Sequence, residues 1–221
     1  LYNASTDTHL FTSNLSEINS LMNNGWIDEG AFGCAPREAT ADIIDQSNCE
    51  IATVNQIKQT VVGGTDSDIE RLQEQLTNDY PKKRTVKLKT EGAFHTSLMM
   101  KAADEFKEYL HEIEFRALNT PVLSNYSSEI HKLDGSESEE LLYNQLYRPV
   151  NWLGCMHKAV EMEVHSVIEF GGGIGDGNDP NEKRPNLEGI TKKNFRSLQS
   201  TVNYFPAINA STITDTAKSI S

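Results

Sequence analysis

The chain has 221 residues, of which 37% are hydrophobic and 24% charged, and its formal net charge is −12. This is enough apolar material for one domain, or one domain in two lobes, and too much for a disordered chain. The acidic balance argues against a nucleic-acid partner, because phosphate contacts need an excess of Lys and Arg.

Taken in chain order, the first 30 residues are polar, with one helix expected across Ser16–Asn23. Ala31–Ala35 reads as a short strand and Arg37–Gln46 as a short helix carrying Ala39, Ile43 and Ile44. Glu50–Val62 is β-branched and reads as a strand pair or one interrupted strand. Asp66–Leu76 opens on capping residues and puts Ile69, Leu72 and Leu76 on one face, which predicts a helix. Arg84–Lys89 alternates, with Val86 and Leu88 to one side, as a half-buried strand does. From residue 30 to 89 the order is strand, helix, strand, strand, helix, strand, that of a ferredoxin-like unit.

The texture then changes. Leu98–Ile113 predicts an amphipathic helix with Leu98, Ala102, Phe106, Tyr109, Leu110 and Ile113 near one face, and Thr96 or Ser97 as its cap. Pro121–Asn125 reads as a buried strand. Glu137–Tyr147 reads as a helix stopped before Pro149, and Asn151–Glu161 as another. Ser166–Phe170 reads as a buried strand running into glycines, and Glu188–Leu198 as a last short helix. From Gln199 the chain is rich in Ser, Thr and Asn and reads as a polar tail or linker.

Three widely spaced cysteines, Cys34, Cys49 and Cys155, suggest neither a disulfide framework nor a metal site and fit a reducing, cytoplasmic setting. The sequons at Asn3, Asn14, Asn125 and Asn209 are read as chance in so polar a chain. No apolar run approaches the roughly 18 residues that span a bilayer.

The segment Gly92-Ala93-Phe94-His95-Thr96-Ser97-Leu98-Met99 puts a histidine where a strand ends and a helix begins. Such a junction holds a side chain firmly and leaves a ring edge open to a cleft. Near neutral pH an imidazole takes and returns a proton. A lone histidine in a loop is more often structural or solvated, so the surrounding motifs matter.

Those motifs are GAFHTSLM (92–99), AADEF (102–106), TPVLSN (120–125), NQLYRPVNW (144–152), VIEFGGG (167–173) and, upstream, CEIATVNQIKQTVVGG (49–64). In order and spacing the chain resembles the malonyl-CoA:acyl carrier protein transacylase family, and the acyltransferase domains of fatty-acid and polyketide synthases, over about residues 30–195. The resemblance implies an α/β fold with a ferredoxin-like small subdomain (31–90) and part of an α/β-hydrolase-like large subdomain (91–198), preceded by a poorly matched segment (1–30) and followed by the tail (199–221).

It also implies a ping-pong acyl transfer. A serine attacks the thioester of malonyl-CoA, and the phosphopantetheine thiol of an acyl carrier protein then takes the acyl group. No bound cofactor or metal is involved. His95 stands at the place of the base that takes and returns the proton. A backbone carbonyl orients that base in the family, and the matching residue is Gln145, in the last turn of a helix whose final carbonyls lack intrahelical partners. Gln145 is otherwise an ordinary helix residue. Phe94 resembles the aromatic that accompanies malonyl selection, its ring filling the space of an α-methyl group; a core role also fits. Asn55 and Gln59 match polar positions near the cleft, and turn or strand residues are an equal reading.

The family's nucleophile sits in a G-x-S-x-G elbow, and these 221 residues contain none. The chain is therefore expected to be the C-terminal two-thirds of such a domain, with the serine supplied from before Leu1, or a degenerate homologue that no longer catalyses. The family's carboxylate-binding arginine has no good match. Arg37 lies already in the small lobe, and the register through Met22 puts its place near Ile18. The alternatives in function are an acyl-thioester hydrolase on the same scaffold and a non-catalytic docking module.

Other signals are set aside. The glycines at 171–177 follow a strand, but acidic residues and Pro180 come next instead of the helix a nucleotide loop needs. The basic run Lys82, Lys83, Arg84, Lys87 and Lys89 is read as a solvated strand face before a carrier-protein contact. His9, His111, His131, His157 and His165 have no metal-like spacing.

Overall fold

The computed structural model describes residues 2–3, 8–9, 44, 47–57, 59–81, 85, 92–175 and 177–220. It is a mixed α/β protein whose chain divides into two compact units, one of residues 29–158 and one of residues 1–28 with 159–221. The helix expected at 16–23, the strand at 31–35 and the basic residues Lys82, Lys83, Arg84, Lys87 and Lys89 lie outside the described residues. So do the helix at 37–46 and the strand at 84–89, except for helical Ile44 and Thr85.

In the first unit, β1 (Glu50–Gln56) and β2 (Gln59–Gly63) form an antiparallel hairpin, with Glu50 opposite Gly63 and Gln56 opposite Gln59 at the tip. Helix α1 (Asp66–Asp79) follows. Thr65 caps it by accepting from the Asp68 backbone at 3.2 Å, and Asp66 and Asp68 place negative charge in its first turn. Leu72 and Leu76 of α1 close on Ile44 and Cys49, with Ile51, Val62, Ile69 and Tyr80 packed around them.

Helix α2 (Met100–His111) is entered through the single turn Ser97–Met99. Its buried stripe is Ala103 and Leu110 with Phe106 half-buried between them. Of the predicted face, Phe106 and Leu110 turn inward, while Leu98, Ala102, Tyr109 and Ile113 are exposed. The positions 103, 106, 107 and 110 fit one helical face better, with Lys107 laid over the Tyr143 ring at 4.9 Å. Residues 121–125 form no strand. Leu123 makes one isolated bridge to Ile130, and the chain turns at once, with the Ser124 hydroxyl accepting from the backbones of Tyr126 and Ser127. Helix α3 (Ser138–Tyr147) packs on α2. Val150 then pairs in parallel with Thr53 on β1, and α4 (Trp152–Glu161) begins after Asn151, whose side chain accepts from the Gly154 backbone.

In the second unit, β3 (Ser166–Phe170) and β4 (Asn203–Ala207) are parallel, Ser166 opposite Asn203 and Phe170 opposite Ala207. Parallel strands need a long crossover, here containing α5 (Glu188–Ser197). The expected tail is therefore wrong. Its residues supply β4 and helix α6 (Ala210–Ile220). Composition hid this. Tyr204, Phe205 and Ala207 form a short apolar strand, and the hydroxyls of Thr212 and Thr216 are spent on the backbones of Ile208, Asn209 and Pro206. The buried strand expected at 166–170 does not bury its last residue. Phe170 is exposed, while Glu169 is buried and accepts from the backbones of Asn186 and Leu187 and from the Tyr204 hydroxyl. Charge at the N-terminal end of α5 is favourable there. The same contact pushes the Tyr204 hydroxyl up, burial being the larger cause.

Two substitutions test these assignments by chemical denaturation. Phe195 is 1% exposed, so Phe195→Ala should cost about 3–5 kcal/mol. Glu169→Ala strands two backbone donors and a tyrosine hydroxyl, and should cost about 1–3 kcal/mol. A Glu169→Ala chain as stable as the wild type would show that this carboxylate does not hold the crossover.

Candidate functional site

His95 sits in the short loop before α2 with a left-handed backbone, φ 63°. A non-glycine residue there is strained by roughly 1–2 kcal/mol, and such a conformation persists only where its surroundings over-determine it. The ties are visible. The His95 N–H donates to Leu146 O at 3.1 Å, and the ring Nδ1 lies 2.7 Å from Gln145 O. Thr96 is buried, and its hydroxyl donates to Ala93 O at 2.6 Å instead of capping α2 as expected. The Ser97 N–H and hydroxyl both donate to the Glu50 carboxylate, the first at 3.0 Å.

The two carbonyls are open for a definite reason. In a continuing helix, Gln145 O would accept from residue 149 and Leu146 O from residue 150. Pro149 has no N–H to give. Val150 gives its own to Ala52 O at 2.9 Å, while Val150 O accepts from Val54 at 2.8 Å. The proline thus ends α3, frees Gln145 O, and sends the chain onto the edge of β1.

A carbonyl oxygen only accepts, so the hydrogen bond puts the proton on Nδ1 and leaves the neutral ring's lone pair on Nε2. Helix α3 is itself held against α2. The Tyr143 hydroxyl donates to Asp104 at 2.7 Å, which pushes that hydroxyl up to about 12, and Lys107 of α2 lies over the Tyr143 ring. The loop also rests on the hairpin. A Cβ on Gly63 would come within 2.6 Å of the Thr96 methyl, so glycine is what lets the His95 loop approach β2.

The structure brings His95 together with the backbone of Gln145. Phe94 is 47% exposed. Asn55 and Gln59 are half-buried near the hairpin tip, and Gln59 is engaged by the Gln56 amide at 2.8 Å. They stand three and four residues along the strands from Ala52 and Gly63, where the loop docks, a separation of roughly 10–13 Å. Sequence reasoning missed Leu146, Glu50 and Gly63. The first acts through its backbone alone, and Glu50 meets a partner 47 positions away. Among the described residues, no group of three His, Cys, Asp or Glu is placed to hold a metal, and no helix is long and apolar enough to cross a membrane.

No family model matches the chain. The malonyl CoA-acyl carrier protein transacylase of Bacillus subtilis (strain 168) is 31% identical over 167 residues, 75% of this chain and 49% of that protein. The protein of the same name from Staphylococcus aureus (strain MSSA476) is 30% identical over 129 residues, 58% of this chain and 41% of that one. The crystal structure of the malonyl CoA-acyl carrier protein transacylase from Clostridium perfringens ATCC 13124 superposes with a TM-score of 0.70 at 26% identity, over 86% of this chain and 56% of that chain. Sequence and fold together place the chain in the malonyl-CoA:acyl carrier protein transacylase family, and it spans about half the length of the curated relatives it matches.

Proposed function

We propose that this chain supplies the proton-transfer half of a malonyl-CoA:acyl carrier protein transacylase, with the nucleophilic serine contributed from outside these residues. The observation that carries the reading is the 2.7 Å contact between His95 Nδ1 and Gln145 O. It fixes the tautomer that a general base needs, with Nε2 available to a hydroxyl.

In the proposed cycle Nε2 takes the serine proton as the oxygen attacks the thioester carbonyl of malonyl-CoA. The carbon–sulfur bond breaks, and the imidazolium returns the proton to the departing CoA thiolate. The phosphopantetheine thiol of an acyl carrier protein then attacks the acyl-serine, giving its proton to Nε2, which passes it to the serine oxygen as the ester breaks. The protons and acyl group balance with no bound cofactor. Gln145 acts through its carbonyl as the orienting group. Phe94, exposed beside the base, limits the acyl group to one without an α-methyl branch. Asn55 and Gln59 line the far end of the same cleft. Residues 31–90 form a ferredoxin-like small subdomain and residues 91–198 part of a hydrolase-like large one. The buried free thiols of Cys49 and Cys155 fit a cytoplasmic setting.

The test is labelling of a longer protein that includes an upstream G-x-S-x-G segment, using radiolabelled malonyl-CoA. A serine-linked label that passes to a carrier protein is the expected result. Rapid release of free malonate would point to hydrolysis, and no labelling would overturn the reading. In that protein His95→Ala should lower the transfer rate by about 10²–10⁴. Phe94→Ser should raise the methylmalonyl-to-malonyl rate ratio by about 10-fold or more, the worth of one methyl group in a fitted pocket. An unchanged ratio would remove Phe94 from specificity.

A further inference from the structure

We propose that Glu50 is a positioning residue for His95, an inference that rests on the reading of His95 as the base. Glu50 opens β1, and its carboxylate accepts both the N–H and the hydroxyl of Ser97, two residues after the histidine. The loop is therefore held at its strained residue and again just after it. The Leu146 carbonyl holds the His95 backbone, and Glu50 holds the chain where it turns into α2.

A left-handed backbone at histidine relaxes when one flanking constraint is lost. Rotation at φ would swing the ring away from Gln145 O, freeing Nδ1 and mixing the two tautomers. The bond pair is charge-assisted, so it is stronger than a neutral pair. Glu50 and Ser97 are both exposed, however, and exposed ionic contacts add little to global stability. The consequence is specific: removing Glu50 should loosen the His95 ring while leaving the fold nearly as stable. A purely structural contact would show the opposite order.

The experiment is nuclear magnetic resonance of the full chain with isotope-labelled histidine rings, reading exchange of the His95 Nδ1–H with solvent and the chemical shift of each ring nitrogen. The wild type should show a protected Nδ1–H and a single tautomer. Glu50→Ala should speed exchange by about 10-fold or more, the order expected for loss of a charge-assisted bond through local opening, and should move both ring nitrogens toward tautomer averaging. Glu50→Gln, which keeps one acceptor, should recover part of the protection. Ser97→Ala should have a smaller effect than Glu50→Ala, because the backbone donor remains, and the double variant should be no worse than Glu50→Ala alone. Exchange in folded Glu50→Ala within about twofold of wild type overturns the proposal. If Glu50→Ala does not fold, Glu50→Gln and Ser97→Ala decide by the same readout. The measurement reads the ring and needs no acyl transfer, so failure of the transferase reading would leave the clamp standing, and failure of the clamp would leave the transferase reading untouched.

Discussion

The hydrogen bond from His95 Nδ1–H to Gln145 O is the contact on which the site depends. It joins residues 50 positions apart at 2.7 Å and exists because a helix runs out of donors at the right place. Pro149 performs three tasks at once. It forces α3 to stop, it withholds the N–H that would occupy Gln145 O, and its extended flank delivers Val150 to the edge of β1. The parallel pairing of Val150 with β1 then fixes the end of α3 relative to the hairpin. Since Gly63 and Glu50 of that hairpin hold the His95 loop, both partners of the central bond are referred to the same two strands.

This closed arrangement explains why a strained histidine is tolerable. A left-handed residue in a free loop relaxes; here the Ala93 carbonyl before it, its own N–H, its ring and the residues after it each have a fixed partner. Thr96 shows the principle on a small scale. Its hydroxyl turns back to Ala93 O, and its methyl fills the space left by the missing side chain of Gly63. The tight loop and the bare β2 glycine are two halves of one fit. Substituting either would push on the histidine without touching it.

Much of this was legible in the sequence, and the failures share a cause. Periodicity located α1, α3, α4, β3 and α5 to within a few residues, because each has apolar spacing and a stop or cap of its own. The hairpin was legible as a β-branched run. Burial was read less well where polar groups go inside. SVIEF reads as a buried strand, yet its Phe170 ring is exposed, and three donors meet the buried carboxylate of Glu169. The last segment, 199–221, looked like a linker because hydroxyl groups lower its apparent hydrophobicity, although those hydroxyls are satisfied by nearby backbone. Hydrophobic pattern alone cannot anticipate where a buried polar group will find its partner.

The same limit governs the site. His95 stood out because its side chain carries the chemistry, and Gln145 was reachable because helix ends have predictable orphan carbonyls. Glu50 had no such signal, since a glutamate at the start of a strand is ordinary and its partner is a serine far along the chain. Backbone groups are still harder to read: Leu146 contributes an oxygen that any residue would provide. Side-chain identity at positions 145 and 146 is therefore weakly constrained by this geometry, while proline at 149 and glycine at 63 are strongly constrained. The site is built more from what is absent, an N–H at 149 and a Cβ at 63, than from the polar side chains that first draw attention.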